Sequence, residues 1–172
     1  MNRAMKKLEP PDTHHLSAAI GWLELGNPGE AGVEVARISG ANLEHPDVLN
    51  VRWEVCAATR SWEPALLVAE TLVGKYPERP AGWISRAYAL RRVKGGSLKK
   101  AWAALRPALE KFPKESTIPY NLACYAAQLS RPDEAMDWLH QAMETAGDVE
   151  HIKLMALADA DLQPLWERIR AW

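Results

Sequence analysis

An all-α fold is what this sequence predicts, and three observations carry the prediction. Between breakers, apolar residues recur at spacings of three and four over stretches of about a dozen residues, as they do on a helix with one buried face. No sustained alternation of β-branched and polar residues interrupts this pattern, and the chain holds a single Phe. A small residue returns at near-constant intervals, at Ala31, Ala65, Ala101 and Ala135, separated by 34, 36 and 34 positions.

Each predicted element has its own local justification. Breakers fall at Gly26 to Gly29, Gly40 to Pro46, Tyr76 to Pro80, Gly95 to Ser97, Phe112 to Ser116, Ser130 to Pro132 and Gly147. Eight helices of roughly 12 to 15 residues fit between them, and a helical tail follows Asp148. Asn27 is placed to cap a helix that begins at Pro28, with Glu30 completing the capping box. Ser130 and Asp133 offer a similar arrangement. Pro64, Pro119 and Pro164 fall in predicted first turns, where a missing N–H costs little. Pro107 is different: it lies mid-helix, where it removes a hydrogen bond and bends the chain.

The bulk properties narrow the class. With 172 residues, 48% of them hydrophobic, the chain is long enough to bury a core. A formal charge of −1 sets up no global attraction to nucleic acid or anionic lipid. No apolar run approaches the roughly 20 residues that span a bilayer. Arg3, Lys6 and Lys7 are not followed by the apolar stretch of a secretory signal. Cys56 and Cys124 make no disulfide framework, so a reducing cytoplasmic compartment is expected.

The alanine lattice is one row of a larger one. Four residues further on stand Val35, Ala69, Leu105 and Leu139, and three beyond those Ile38, Leu72, Ala108 and Ala142. Pro77 and Pro113 close two of the units, 36 positions apart. A helical hairpin cannot bury its apolar stripe alone, so such units stack and share a continuous core.

The residues themselves resemble the tetratricopeptide-repeat family. Tyr120-Asn121-Leu122-Ala123-Cys124-Tyr125-Ala126-Ala127, followed by Pro132-Asp133-Glu134-Ala135, carries the likeness most clearly. Trp62 to Ala65 with Tyr76-Pro77, and Trp83 to Pro113, carry it in the second and third units. The resemblance implies a right-handed superhelical stack of antiparallel helix pairs, closed by a C-terminal capping helix. Its parts are an N-terminal segment over 1–12, hairpins over about 13–45, 46–79, 80–114 and 115–147, and capping helices over 148–172. The first segment is expected to be flexible. In the tail, Asp161 is expected to cap a last helix, with Leu162, Leu165, Trp166, Ile169 and Trp172 on one face. That face either covers the fourth unit or joins two copies in a homodimer.

The resemblance also implies a function: binding another protein, as a peptide or helix, in a concave groove lined by the first helix of each unit. Mapped residue by residue, the groove receives Ile20 and Glu24, then Asn50 and Glu54, then Ser85, Tyr88, Arg91 and Arg92. Tyr120, Asn121, Cys124 and Gln128 complete it. Arg52 and Arg86 replace the leucine that such repeats bury, in consecutive units. An unpaired buried guanidinium is costly, so they either reach into the groove as partner contacts or pair with acids such as Glu54. The lysine, asparagine and arginine clamp that some family members close on a chaperone tail maps to Leu16, Ile20, Val51, Ala81 and Ser85, and none of its residues is retained. A dedicated chaperone of secreted proteins, resembling the type III secretion chaperones, is the alternative role. Against it stands the short, proline-ended segment Met1 to Asp12.

Charge is uneven along the repeats. From Ala81 to Pro113 eight Lys or Arg face one acid, Glu110, for a net +7, whereas 114–150 carries −5 and 13–46 carries −3. Such a band either recruits an acidic peptide or is neutralised by neighbouring units. No catalytic motif, phosphate loop or cofactor signature is present. His14-His15 and the trio Asp137, His140 and Glu144 have the spacing of exposed salt-bridging residues rather than of a metal-ligand set. The expectation is therefore a binding protein with no catalytic residue, cofactor or metal.

Overall fold

The computed structural model describes residues 7–172, and every regular element among them is helical. The first pair is α1 (Asp12–Glu24) and α2 (Pro28–Ala36), followed by a 3₁₀ turn at Gly40–Asn42. The second is α3 (Pro46–Ala58) and α4 (Trp62–Lys75). The third is α5 (Pro80–Leu90) and α6 (Leu98–Leu105), with the short α7 (Ala108–Lys111) continuing α6. The fourth is α8 (Thr117–Gln128) and α9 (Pro132–Ala146). A closing region follows: α10 (Val149–Ala158), a 3₁₀ segment at Ala160–Leu165, and α11 (Trp166–Arg170). No described helix is long and apolar enough to cross a membrane.

The alanine row explains the stacking. Ala31, Ala65, Ala101 and Ala135 are all 0% exposed, so any larger side chain at these points would push helices apart. Ala69, Leu72, Leu105, Ala108, Leu139 and Ala142 are buried in the same layer. Gly82 serves the same end between α4 and α5, since a Cβ there would lie 2.8 Å from Leu72 Cβ. The largest apolar cluster joins α8 and α9 to the third unit and to Ile152, Leu162, Leu165 and Ile169 of the closing region.

Several local expectations need correction. The helices are less uniform than the breakers suggest: α2 has 9 residues and α6 only 8. Pro107 does more than bend its helix, separating α6 from α7 outright. Asn27 does cap α2, accepting from the Glu30 amide at 3.3 Å. Ser130 does not cap α9, because its backbone is left-handed at φ 60° and α9 starts without a side-chain cap. The closing 3₁₀ segment is capped by Asp159, whose carboxylate accepts from the Asp161 amide, and not by Asp161. Pro164 consequently sits late in that segment rather than in a first turn.

The turn inside each pair has one residue at positive φ: Gly26 (72°), Arg60 (55°), Gly95 (72°) and Ser130 (60°). Glycine takes that conformation freely, whereas an L side chain is strained in it. In the third unit, Gly95-Gly96 carries the longer turn, and a Cβ on Gly96 would lie 2.1 Å from the Leu90 carbonyl oxygen.

At the N-terminal end, Leu8 is buried against Ile38 and Val48, while residues 1–6 of the expected flexible segment lie outside the described residues. Asp12 is also buried, and its carboxylate accepts from the Ser39 amide (3.0 Å), the Ser39 hydroxyl (2.5 Å) and Asn42 Nδ2 (2.7 Å). These bonds to the charged form hold the Asp12 carboxyl below its ordinary range.

Candidate functional site

Seven of the residues mapped from the sequence, Asn50, Glu54, Tyr88, Arg92, Tyr120, Cys124 and Gln128, fall on three stripes in register. On α3 the stripe is Asn50, Glu54, Ala58; on α5 it is Ile84 and Tyr88, continued by Arg92 in the turn just past the helix end; on α8 it is Tyr120, Cys124, Gln128. Members of a stripe are four residues apart, the spacing that puts side chains on one face of a helix. The offsets between stripes are 34 and 36 residues, the intervals of the alanine row.

The α8 stripe is covered by the chain itself. Tyr120 Oη donates to Asp159 Oδ2 at 3.2 Å, Cys124 Sγ lies 3.5 Å from the same oxygen, and Gln128 Nε2 donates to the Asp161 carbonyl at 2.8 Å. From the end of α5, Arg91 grips the Asp161 carboxylate with both η nitrogens, at 2.5 and 3.0 Å. That bond raises the Arg91 pKa, and its guanidinium also lies 5.5 Å from the Tyr125 ring centroid. Burial pushes the Cys124 thiol and the Tyr120 hydroxyl upward, and the Asp159 carboxylate adds to both shifts. Both groups are therefore neutral near pH 7. Four of the mapped residues, Arg91, Tyr120, Cys124 and Gln128, are thus engaged with residues 159–161. Asn121 turns to its own helix and donates to the Thr117 carbonyl.

One unit earlier the stripe is open. Tyr88 packs edge-on to Trp53 and tilted against Trp62, and the Arg92 guanidinium lies 3.5 Å from the Tyr88 ring centroid and 5.1 Å from that of Trp62. Ala57, Ala58, Arg60, Trp62, Tyr88 and Arg92 line a cavity of about 450 Å³. Burial lowers the Arg92 pKa, and among the described residues no carboxylate bonds to it. Glu54, exposed on the α3 stripe, has its carboxyl pKa raised by partial desolvation, and Ser85 is buried.

Arg52 and Arg86 make no ion pair with Glu54; each donates to a backbone carbonyl, Arg52 to Leu43 (3.3 Å) and Arg86 to Ala104 (3.1 Å). Leu43 ends the 3₁₀ turn and Ala104 lies just before the Pro107 break, places where helical bonding stops and carbonyls accept from elsewhere. Arg86 also lies 4.9 Å from the Trp83 ring centroid, leaving its buried Nε without a partner.

The closing region spends its apolar face on the fourth unit. Leu162, Leu165 and Ile169 are buried, Trp166 Nε1 donates to the Ala156 carbonyl, and the Trp172 ring meets His140 at 4.7 Å. The trio Asp137, His140 and Glu144 is exposed on α9 and its ligand atoms do not converge. Among the described residues, Cys124, Asp159 and Asp161 form the one group whose potential ligand atoms lie within 4.8 Å of one another. Arg91, Tyr120 and the Asp161 amide already take up its carboxylate oxygens. Sequence reasoning missed Asp159, Arg60 and Trp62; the paired acids around Ala160 were the available signal for the first.

No family model matches the sequence, and no curated protein matches it significantly. Solved structures do. A thermophilic TPR protein of Thermus thermophilus superposes with a TM-score of 0.70 at 19% identity, over 94% of this chain and 100% of that one. The fold is that of the tetratricopeptide repeat. The MamA RS-1 ArsTM double mutant matches at a TM-score of 0.65 and 16% identity, over 81% of this chain and 78% of that one. MamA MSR-1 matches at 0.60 and 14%, over 95% and 97%. The helix pairs of this chain accordingly form a right-handed TPR stack.

Proposed function

We propose that this chain is a protein-interaction module that receives a peptide or a helix of a partner protein on the inner face of its TPR stack, and that its role is binding rather than catalysis. The guest lies along the α3 and α5 stripes, through Asn50, Glu54, Tyr88 and Arg92. The observation that carries this reading is the contrast between equivalent stripes. On α8 the stripe is covered by a segment of the chain itself, while on α5 the corresponding side chains border an open cavity. A surface built to be covered in one unit and left open in the next is a surface for a guest. Tyrosine and tryptophan supply contact area there with few torsions to freeze.

The test is selection from a random-sequence peptide display library. Wild type enriches binders, and an Asn50→Trp, Glu54→Trp variant, which fills the α3 stripe, weakens them about tenfold or more. Leu67→Lys, at an exposed position of α4, leaves them unchanged. Equal binding by the inner-face variant overturns the proposal.

A further inference from the structure

We infer that the cavity between α3 and α5 is an anchoring pocket for an acidic side chain of the guest peptide, held by Arg92 and Arg60. The inference rests on the groove reading above and names the partner's chemistry.

The chain supplies its own precedent. At the fourth unit an acidic stretch, Asp159-Ala160-Asp161, crosses the Tyr120, Cys124, Gln128 stripe, and an arginine from the preceding unit fixes one carboxylate in a two-point grip. Shifting one unit back replaces Cys124 by Tyr88 and Gln128 by Arg92, while the place of Arg91 falls to Ala57. The cationic group has moved from the preceding helix onto the stripe itself, and Ala57 leaves the room that an arginine would fill. All three of these residues border the open cavity. The pocket is therefore the register-equivalent of an acid-holding site, with a guanidinium present and its acid absent.

Charge and conformation agree. The cavity's lining residues include two arginines and no acidic residue. Arg91 is neutralised by Asp161, but neither Arg92 nor Arg60 has an ion-pair partner among the described residues. Arg92 is held in place by Tyr88 and Trp62, with one η nitrogen donating to the Tyr88 carbonyl at 2.9 Å. Its remaining donors are available to a carboxylate, and holding the group in advance reduces the entropy lost on binding. Arg60 occupies a left-handed position where the first and third units use glycine and the fourth uses serine.

The display selection above tests this separately from the groove itself. Binders selected by wild type should be rich in Asp or Glu and should weaken with added salt. A selected acidic peptide should lose about tenfold in affinity to Arg60→Gly and again to Arg92→Gln, the loss expected for one charge-assisted hydrogen bond each. Because glycine relieves the strained turn, Arg60→Gly should melt higher than wild type while binding less, a split that a merely structural arginine would not produce. It also keeps the test valid should Arg92→Gln disturb the aromatic cluster. Selected sequences without acidic residues, or acidic binders indifferent to both changes, overturn the pocket assignment and leave the groove reading intact. Failure of wild type to enrich any sequence overturns both.

Discussion

Removing the Arg91 grip should loosen the closing region in a measurable way. The pair is bidentate, with side chains 15% and 27% exposed, placing it between a solvent-screened surface contact and a buried one. Exposed pairs contribute about 0.2–1 kcal/mol, whereas breaking a buried pair costs about 3–5 kcal/mol. For this geometry we expect Arg91→Ala to cost about 2–3 kcal/mol, part of it from the contact with the Tyr125 ring. At this chain length that is a fall in Tm of roughly 4–12 °C. A double-mutant cycle with Asp161→Asn, followed by urea unfolding, should return a coupling of about 1.5 kcal/mol. A second readout is chemical: Cys124 lies beneath the grip, so a thiol reagent should modify it faster in Arg91→Ala, with half-buried Cys56 as internal reference. A coupling below about 0.5 kcal/mol together with unchanged Cys124 labelling would refute the reasoning, because the segment would then be held by its leucines alone.

Two further outcomes follow from other parts of the molecule. Gly96→Ala places a Cβ against the backbone oxygen of Leu90, so the turn between α5 and α6 must shift; a loss of about 2–3 kcal/mol in denaturant unfolding is expected, and a neutral result would show that this turn is plastic. Asp12→Asn should destabilise the N-terminal unit in a pH-dependent manner: the wild-type carboxyl is held below its unfolded value, so its contribution is fully present above that value, near 3.9, and disappears as pH falls through the folded pKa. The stability gap between the two proteins, measured by thermal melts, should be constant from about pH 7 to pH 5 and narrow as the pH drops below about 4.

The repeat fold is legible in the sequence because its tightest requirement is local. Close helix approach demands a small residue at one place per unit, and the four alanines record that demand at fixed intervals. The path of the closing region is not legible in the same way. Asp159 and Asp161 find their partners on α8 and at the end of α5, as many as 70 positions away, through a fold-back that helical periodicity does not encode. Arg52 and Arg86 illustrate a second limit. Their places in the repeat were visible, but their partners are carbonyls freed by the ends of other elements, known only once those ends are fixed. Positive φ at Arg60 and Ser130 left no compositional mark, since neither residue type advertises a left-handed turn.

The fold-back also bears on how the protein is made. The α8 thiol of Cys124 leaves the ribosome 35 residues ahead of the aspartate that will shield it. At common elongation rates that interval is about two to seven seconds, ample time for its helix pair to form and yet have nothing across its inner side. During that window the nascent chain displays Tyr120 and Cys124 as bare surface, so a bystander with a suitable acidic stretch could occupy the place before the rightful tenant is synthesised.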